Sequence, residues 1–259
     1  MKDTLRQVVV VLSTLLVIAA NGLANALPLN DQTTGEISDR FEVFFVPAGY
    51  VFSIWGLIYL ALIGYSIYQA VPSQRENTRL RSIGYLYALS CLANIAWLIF
   101  WHYELFVLTL IAMLTLLAVL IAIYLRLGAG RNRVPDGEVW FVRVPFSIYL
   151  GWITVATIAN VTSLLAYLGW DAWGINPEIW AVIMLVAGAV IALAVSIDRG
   201  DVAYVLVILW AYAGIAVKFA DASTTVTVTA GIMAVIVGLS LFIGVPRYRR
   251  RVEGQAVAA

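Results

Sequence analysis

Cysteine and histidine are nearly missing: the 259 residues contain one of each, Cys91 and His102. An internal disulfide is therefore excluded, and a Cys/His metal site has too few ligands to be built. Charge is scarce as well. Asp, Glu, Lys and Arg together make up 12% of the chain, against about 25% in an ordinary soluble domain. The formal net charge of +1 leaves no electrostatic footprint for a nucleic-acid partner. No Ser/His/Asp set, phosphate loop or mid-span carboxylate pair is readable, so catalysis finds little support. Period-two alternation is also lacking, which favours helices over a transmembrane β-barrel.

Apolar length is what the chain has. Hydrophobic residues account for 63% and the mean hydropathy is +0.93, more apolar surface than a soluble fold of this size can hide. A membrane helix needs about 20 apolar residues. Eight such runs lie near residues 7–27, 46–70, 80–101, 105–127, 141–168, 179–197, 202–219 and 225–245. The expected architecture is an all-α, polytopic membrane bundle of eight helices. The first run follows Lys2 and Arg6 and ends near Ala24-Asn25-Ala26, as a signal peptide would; its length favours a retained helix.

With the N-terminus placed in the cytoplasm, 14 of the 16 basic residues fall on the cytoplasmic side, and only Arg40 and Lys218 lie outside. This positive-inside pattern requires an even number of spans, with both termini cytoplasmic in an inner (plasma) membrane. The prolines fit the map. Pro28, Pro47, Pro72, Pro135, Pro177 and Pro246 fall at helix or loop ends, and Pro145 about one turn into span five. The cluster 247–251 is read as a topology anchor. The longest outer loop, 28–45, is polar and long enough to be a lid or binding loop. Trp140, Trp170, Trp173 and Trp180 sit at interfaces as headgroup anchors.

Polar and aromatic side chains inside the spans are the informative ones, because lipid-facing positions do not need them. Tyr87, Ser90, Asn94, Trp97 and Trp101 are spaced to form one stripe on span three. Span two carries Trp55 and Tyr59, span five Tyr149, Trp152, Ala156, Asn160 and Ser163, and span one Asn21 and Asn25. At a rise of roughly 1.5 Å per residue, Trp55, Asn94, Asn160 and Asn21 all lie about 10–12 Å below the outer boundary. Indoles as flat walls and carboxamides as orienting groups would suit a planar hydrophobic ligand beneath the loop. Interhelical hydrogen bonding is the alternative use of the same amides.

These residues also carry a resemblance. The segment from Pro47 through Tyr50-Val51-Phe52 to Trp55 and Tyr59 resembles the second-helix signature of the TspO/MBR family, the tryptophan-rich sensory proteins related to the mitochondrial translocator protein. Asn94-Ile95-Ala96-Trp97 resembles the family's third-helix motif. Val144-Pro145, with Trp152 eight residues before Asn160, resembles its fifth helix, and anchoring on Pro145 instead aligns Tyr149 with the family tryptophan. Phe52 and Trp55 are separated by two residues where the family pattern has three, so the backbone must adjust to keep the indole inward. The resemblance covers about residues 5–168. It implies a five-helix core (1–168) with lid loop 28–45, and a separate 169–259 segment of three added helices and a basic tail. It implies no obligatory cofactor. A tetrapyrrole such as porphyrin or haem, or a sterol-like molecule, is the expected ligand, for sensing or trafficking. Trp55, Asn94 and Trp97 would line the pocket. The resemblance also leaves open a photochemical degradation of porphyrin, proposed for some family members with tryptophan implicated. A cholesterol-type pattern occurs at Leu120, Tyr124 and Arg126.

The added spans are rich in small residues (Ala187-Gly188-Ala189, Ala211, Ala213-Gly214, Gly231, Gly238), which suits packing onto the core or onto a partner. The expected partners are membrane lipid and a hydrophobic small molecule, with a homo-oligomer or a larger membrane complex as further associations. Passive transport of a lipid-like or porphyrin molecule and a structural role in such a complex are the rival functions. Lys218 in span seven is read as a snorkelling lysine or a surface pair with Asp221.

Overall fold

The structure is a computed structural model whose described residues are 2–27 and 29–257; Pro28 and the side chains of Asn25 and of residues 255–257 lie outside them. Among the described residues the fold is helical with no strand. The long helices are α1 (Lys2–Ala26), α3 (Ile54–Ala70), α4 (Thr78–His102), α5 (Phe106–Leu127), α6 (Val144–Tyr167), α7 (Pro177–Arg199), α8 (Val202–Lys218) and α9 (Thr224–Val257). A short helix, α2 (Thr34–Asp39), lies in the loop after α1. Helix ends follow local chemistry. The Asn77 side chain accepts from the Arg79 and Leu80 amides at the start of α4. Gly128 and Gly200 close α5 and α7 at left-handed φ values of 58° and 62°.

Seven of the apolar helices are long enough to cross a membrane, and the eighth run appears as the 17-residue α8. Its length of about 26 Å is at the short end for a span. Two boundaries differ from the sequence reading. Helix α9 continues through Pro246 to Val257, so this proline lies within a helix rather than at its end. The continuation is held by Arg251, which donates to the carbonyls of Gly130 (3.0 Å) and Asp198 (2.9 Å). The fifth span starts earlier than residue 141, with a turn at Asp136–Glu138 and a π-helical turn at Val139–Arg143 leading into α6. Pro145 therefore stands deeper than one turn in. The wide turn before it accommodates the backbone hydrogen bond that proline cannot donate.

Helix α1 packs on α3 and α4, α4 on α5, and α5 on α6. The last three helices join this bundle chiefly through α8, which lies along α6, while α9 packs on both α7 and α8. The small residues are used at these contacts. A side chain at Gly188 would meet the Tyr212 hydroxyl at 2.5 Å, and one at Gly244 would overlap the Ser196 carbonyl. Large apolar side chains such as Leu12, Leu60, Leu92, Ile111 and Phe242 remain exposed around the outside, as expected where lipid is the solvent.

The two ends of the bundle differ in charge. Opposite the lid, Arg81 pairs with Asp3 (2.7 Å), Arg131 with Asp198 (2.6 Å), and Arg79 with Glu138. Arg6 and Arg126 donate to the carbonyls of Arg75 and Ser82. Tyr124, from the cholesterol-type pattern, does not face lipid. It is buried and its hydroxyl donates to Asp201 at 2.8 Å.

Candidate ligand-binding site

The α4 stripe is buried along its whole length, from Tyr87 to Trp101. At its centre, the Asn21 carboxamide donates to Asn94 Oδ1 (2.9 Å), and Asn94 Nδ2 donates to the Tyr149 hydroxyl (3.0 Å). One turn further on, Trp97 Nε1 donates to Asn160 Oδ1 (3.3 Å), whose Nδ2 donates to the Thr109 hydroxyl of α5 (3.1 Å). The three asparagines sit on α1, α4 and α6, which run in the same direction, while Trp55 of α3 and Thr109 of α5 reach the same region from helices of opposite direction.

The aromatic rings form a ladder on this frame. Tyr59, Trp55, Trp97 and Trp101 stack in sequence, with interplanar angles of 17°, 29° and 20°. Trp152 meets Trp55 and Phe52 edge to face, at 83° in each case. Trp55 faces inward because residues Gly49–Ser53 form a 3-10 turn ahead of α3. With three residues per turn, positions three apart share a side, so Phe52 and Trp55 come into one register despite their short spacing.

Two cavities lie against this ladder. The outer one, about 390 Å³, is lined by Asn21, Gly49, Phe52, Trp55, Tyr59, Trp97 and the lid residues Thr33–Glu36 and Asp39. The inner one, about 40 Å³, lies behind the Phe52–Trp55–Trp97 wall and is lined by Trp101, Trp152, Ala156, Asn160 and Ser163 among others. The outer volume falls in the range of about 300–1,000 Å³ typical of small-molecule sites. Of the expected site residues, Asn21, Trp55, Tyr59 and Trp97 border the outer lobe and Trp152 and Asn160 the inner one. Asn94 and Tyr149 line neither. Their polar atoms are engaged with each other and with Asn21, so they brace the floor rather than face a guest. Trp152, not Tyr149, is the span-five aromatic at the cavity.

The lid covers the outer lobe and is tied down on two sides. Thr33 and Glu36 form a reciprocal capping box that starts α2. Toward α4, Trp101 Nε1 donates to the Thr34 carbonyl (3.2 Å), Asn30 to the His102 carbonyl (3.1 Å), and Gln32 and Arg40 to Glu104 (3.3 and 3.0 Å). Toward α8, Lys218 pairs with Asp39 at 2.5 Å. Its partner is a lid residue and not Asp221. Phe44 packs on Phe219, the Ala48 amide donates to the Gly214 carbonyl (3.1 Å), and Trp210 Nε1 donates to the Val51 carbonyl (3.1 Å). A side chain at Gly214 would overlap Val51, so only glycine allows this approach. The hydrogen bonds from Gln32 and Arg40 hold the Glu104 carboxyl below its ordinary range, and those from Thr33 do the same for Glu36.

The cavity walls are uncharged apart from Glu36 and Asp39. Neither lobe is lined by His, Cys or Met among the described residues, and the stacked rings suit face-to-face contact with a planar guest. Trp152 Nε1 is buried without an acceptor, at a cost of about 1–3 kcal/mol. The Tyr59 hydroxyl makes no hydrogen bond of good geometry either, although Asn94 lies nearby. Sequence reasoning missed the contributions of Thr109 and the lid residues. The Thr33-Thr34-Gly35-Glu36 capping pattern is the signal that would have revealed α2. Trp170, Trp173 and Trp180, expected as interface anchors, form one cluster with centroids 5.2–5.7 Å apart.

The family model for TSPO-like protein matches residues 7–243. The chain therefore belongs to the TSPO-like protein family, as a polytopic helical membrane protein. The match runs past residue 168 and takes in α7, α8 and most of α9. No curated protein and no solved structure matches the chain.

Proposed function

We propose that this protein binds a planar or rigid hydrophobic molecule in the lid-covered cavity, for sensing or trafficking rather than catalysis. The observation that carries this reading is the outer cavity of about 390 Å³, walled by the stacked Tyr59, Trp55 and Trp97 rings beneath a tethered lid. Flat indole faces offer large contact area at low entropic cost, and an apolar pocket with few polar anchors is the common form of a small-molecule site. Tetrapyrroles and sterol-like molecules are the ligand classes this shape supports. In this reading both termini lie in the cytoplasm and the lid faces the other side of an inner (plasma) membrane, following the basic residues.

The test is titration of a porphyrin into the purified protein while tryptophan fluorescence is followed. Saturable quenching is expected, because four of the nine tryptophans, Trp55, Trp97, Trp101 and Trp152, border the two lobes. Trp97→Ala should weaken apparent affinity about tenfold, the effect of losing about 1.4 kcal/mol of contact. Unchanged affinity in Trp97→Ala, with the fold retained, would remove the site.

A further inference from the structure

Building on the cavity reading, we infer that the site selects an uncharged ligand bearing a hydrogen-bond acceptor oxygen, with Trp152 as the donor that meets that oxygen in the inner lobe, and that it discriminates against carboxylates. Three observations carry this. First, Trp152 lines the inner lobe, is 2% exposed, and its indole N–H has no acceptor within the protein. An inner space of about 40 Å³ is large enough for one small polar group at the end of a ligand. A buried donor left open in this way favours a guest that completes it.

Second, no lysine, arginine or histidine lines either lobe among the described residues. A carboxylate brought into this apolar space would be desolvated with no cation to pair with it. Third, the charges at the mouth have the wrong sign for an anion. Glu36 and Asp39 border the outer lobe. The two nearby cations are already taken, Lys218 by Asp39 and Arg40 by Glu104. An acidic ligand would have to break one of these pairs or sit beside Glu36.

The experiment compares protoporphyrin IX, a dicarboxylate, with its uncharged dimethyl ester, the protein being held in neutral-lipid nanodiscs and empty nanodiscs serving to correct for partitioning. The ester is expected to bind at least tenfold more tightly than the diacid. Glu36→Gln, which keeps the capping geometry, should narrow that ratio by lowering the penalty on the diacid. Trp152→Phe should reduce ester affinity about fivefold to tenfold while leaving the ester-to-diacid preference in place. A diacid that binds as tightly as the ester, or more tightly, overturns the inference and leaves the cavity reading standing. Saturable quenching by neither compound overturns both. If Trp152→Phe fails to fold, etioporphyrin, which carries no oxygen, takes its place: ester binding no tighter than that of etioporphyrin overturns the donor role, and the wild-type and Glu36→Gln ratios test the carboxylate discrimination.

Discussion

Single side chains on this frame divide into those that brace and those that line. Asn94 and Tyr149 brace, and Asn94→Ala should cost about 1–3 kcal/mol of stability by leaving the Asn21 and Tyr149 partners open. Thermal unfolding in detergent measures this; a change within about 0.5 kcal/mol would contradict a bracing role. Glu138 is a second stringent position. It is 1% exposed and paired with Arg79, whose side chain keeps 34% exposure, so Glu138→Ala should destabilise by about 1–3 kcal/mol, from the lost charge-assisted hydrogen bonds rather than from a stranded charge, because the guanidinium can turn to water. At this scale the sequence was partly legible. The three- and four-residue spacing on span three named the buried stripe in full, because a helix has one geometry. It could not tell Asn94 from Asn160. Both are buried amides at similar depth, and only the partners across the bundle decide which one keeps a face on the cavity.

The lid and α8 are the elements on which access depends. The lid is held from the α4–α5 connection by Glu104 and from α8 by Lys218, through exposed pairs each worth about 0–1 kcal/mol. Lys218→Ala combined with Glu104→Gln should therefore speed ligand exchange severalfold with little loss of global stability, as stopped-flow quenching would report. Acidification should act in the same direction. The folded-state values of Glu104 and Glu36 are lowered, so their contribution is fully present above the ordinary glutamate value of 4.5 and is lost as pH falls through the depressed range. Hydrogen exchange over residues 30–40 should rise below that pH, and exchange that does not respond to acid would contradict carboxylate tethering. The capping pattern of α2 was present in the sequence, whereas Lys218–Asp39 was not legible. The two residues are 179 positions apart, and nothing local links them. That Trp55 turns inward was expected from the resemblance, but the form of the backbone adjustment was hidden, because a 3-10 turn changes the register that an α-helical wheel assumes.

For the whole molecule, the arrangement of charge is the feature most fully written in the sequence. Basic residues gather at one end and pair there with Asp3, Glu138 and Asp198, while the lid end keeps only Arg40 and Lys218, both in ion pairs. Cys91, 2% exposed, provides a nearly silent background for mapping this polarity. A cysteine placed at Gln32 should label from the extracytoplasmic side, and one at Glu253 only after the membrane is opened; the reverse pattern would invert the proposed orientation. Apolar length gave the apolar helices, but the close packing of α7 on α8 and α9 runs through Gly188 and Gly244, whose partners no periodicity reveals. The central claim is that the lid-covered space is where a guest resides, and Gly49 allows it to be tested directly. Gly49 borders the outer lobe from an exposed position, and a Cβ there would have no atom within 4 Å, so Gly49→Phe adds bulk at the mouth of the space from a position that tolerates a side chain. Measured by saturable tryptophan quenching with protoporphyrin dimethyl ester, Gly49→Phe should lose binding at least tenfold while its melting temperature stays near that of the parent. Parent-like affinity in a folded Gly49→Phe protein would place the ligand elsewhere and contradict the account.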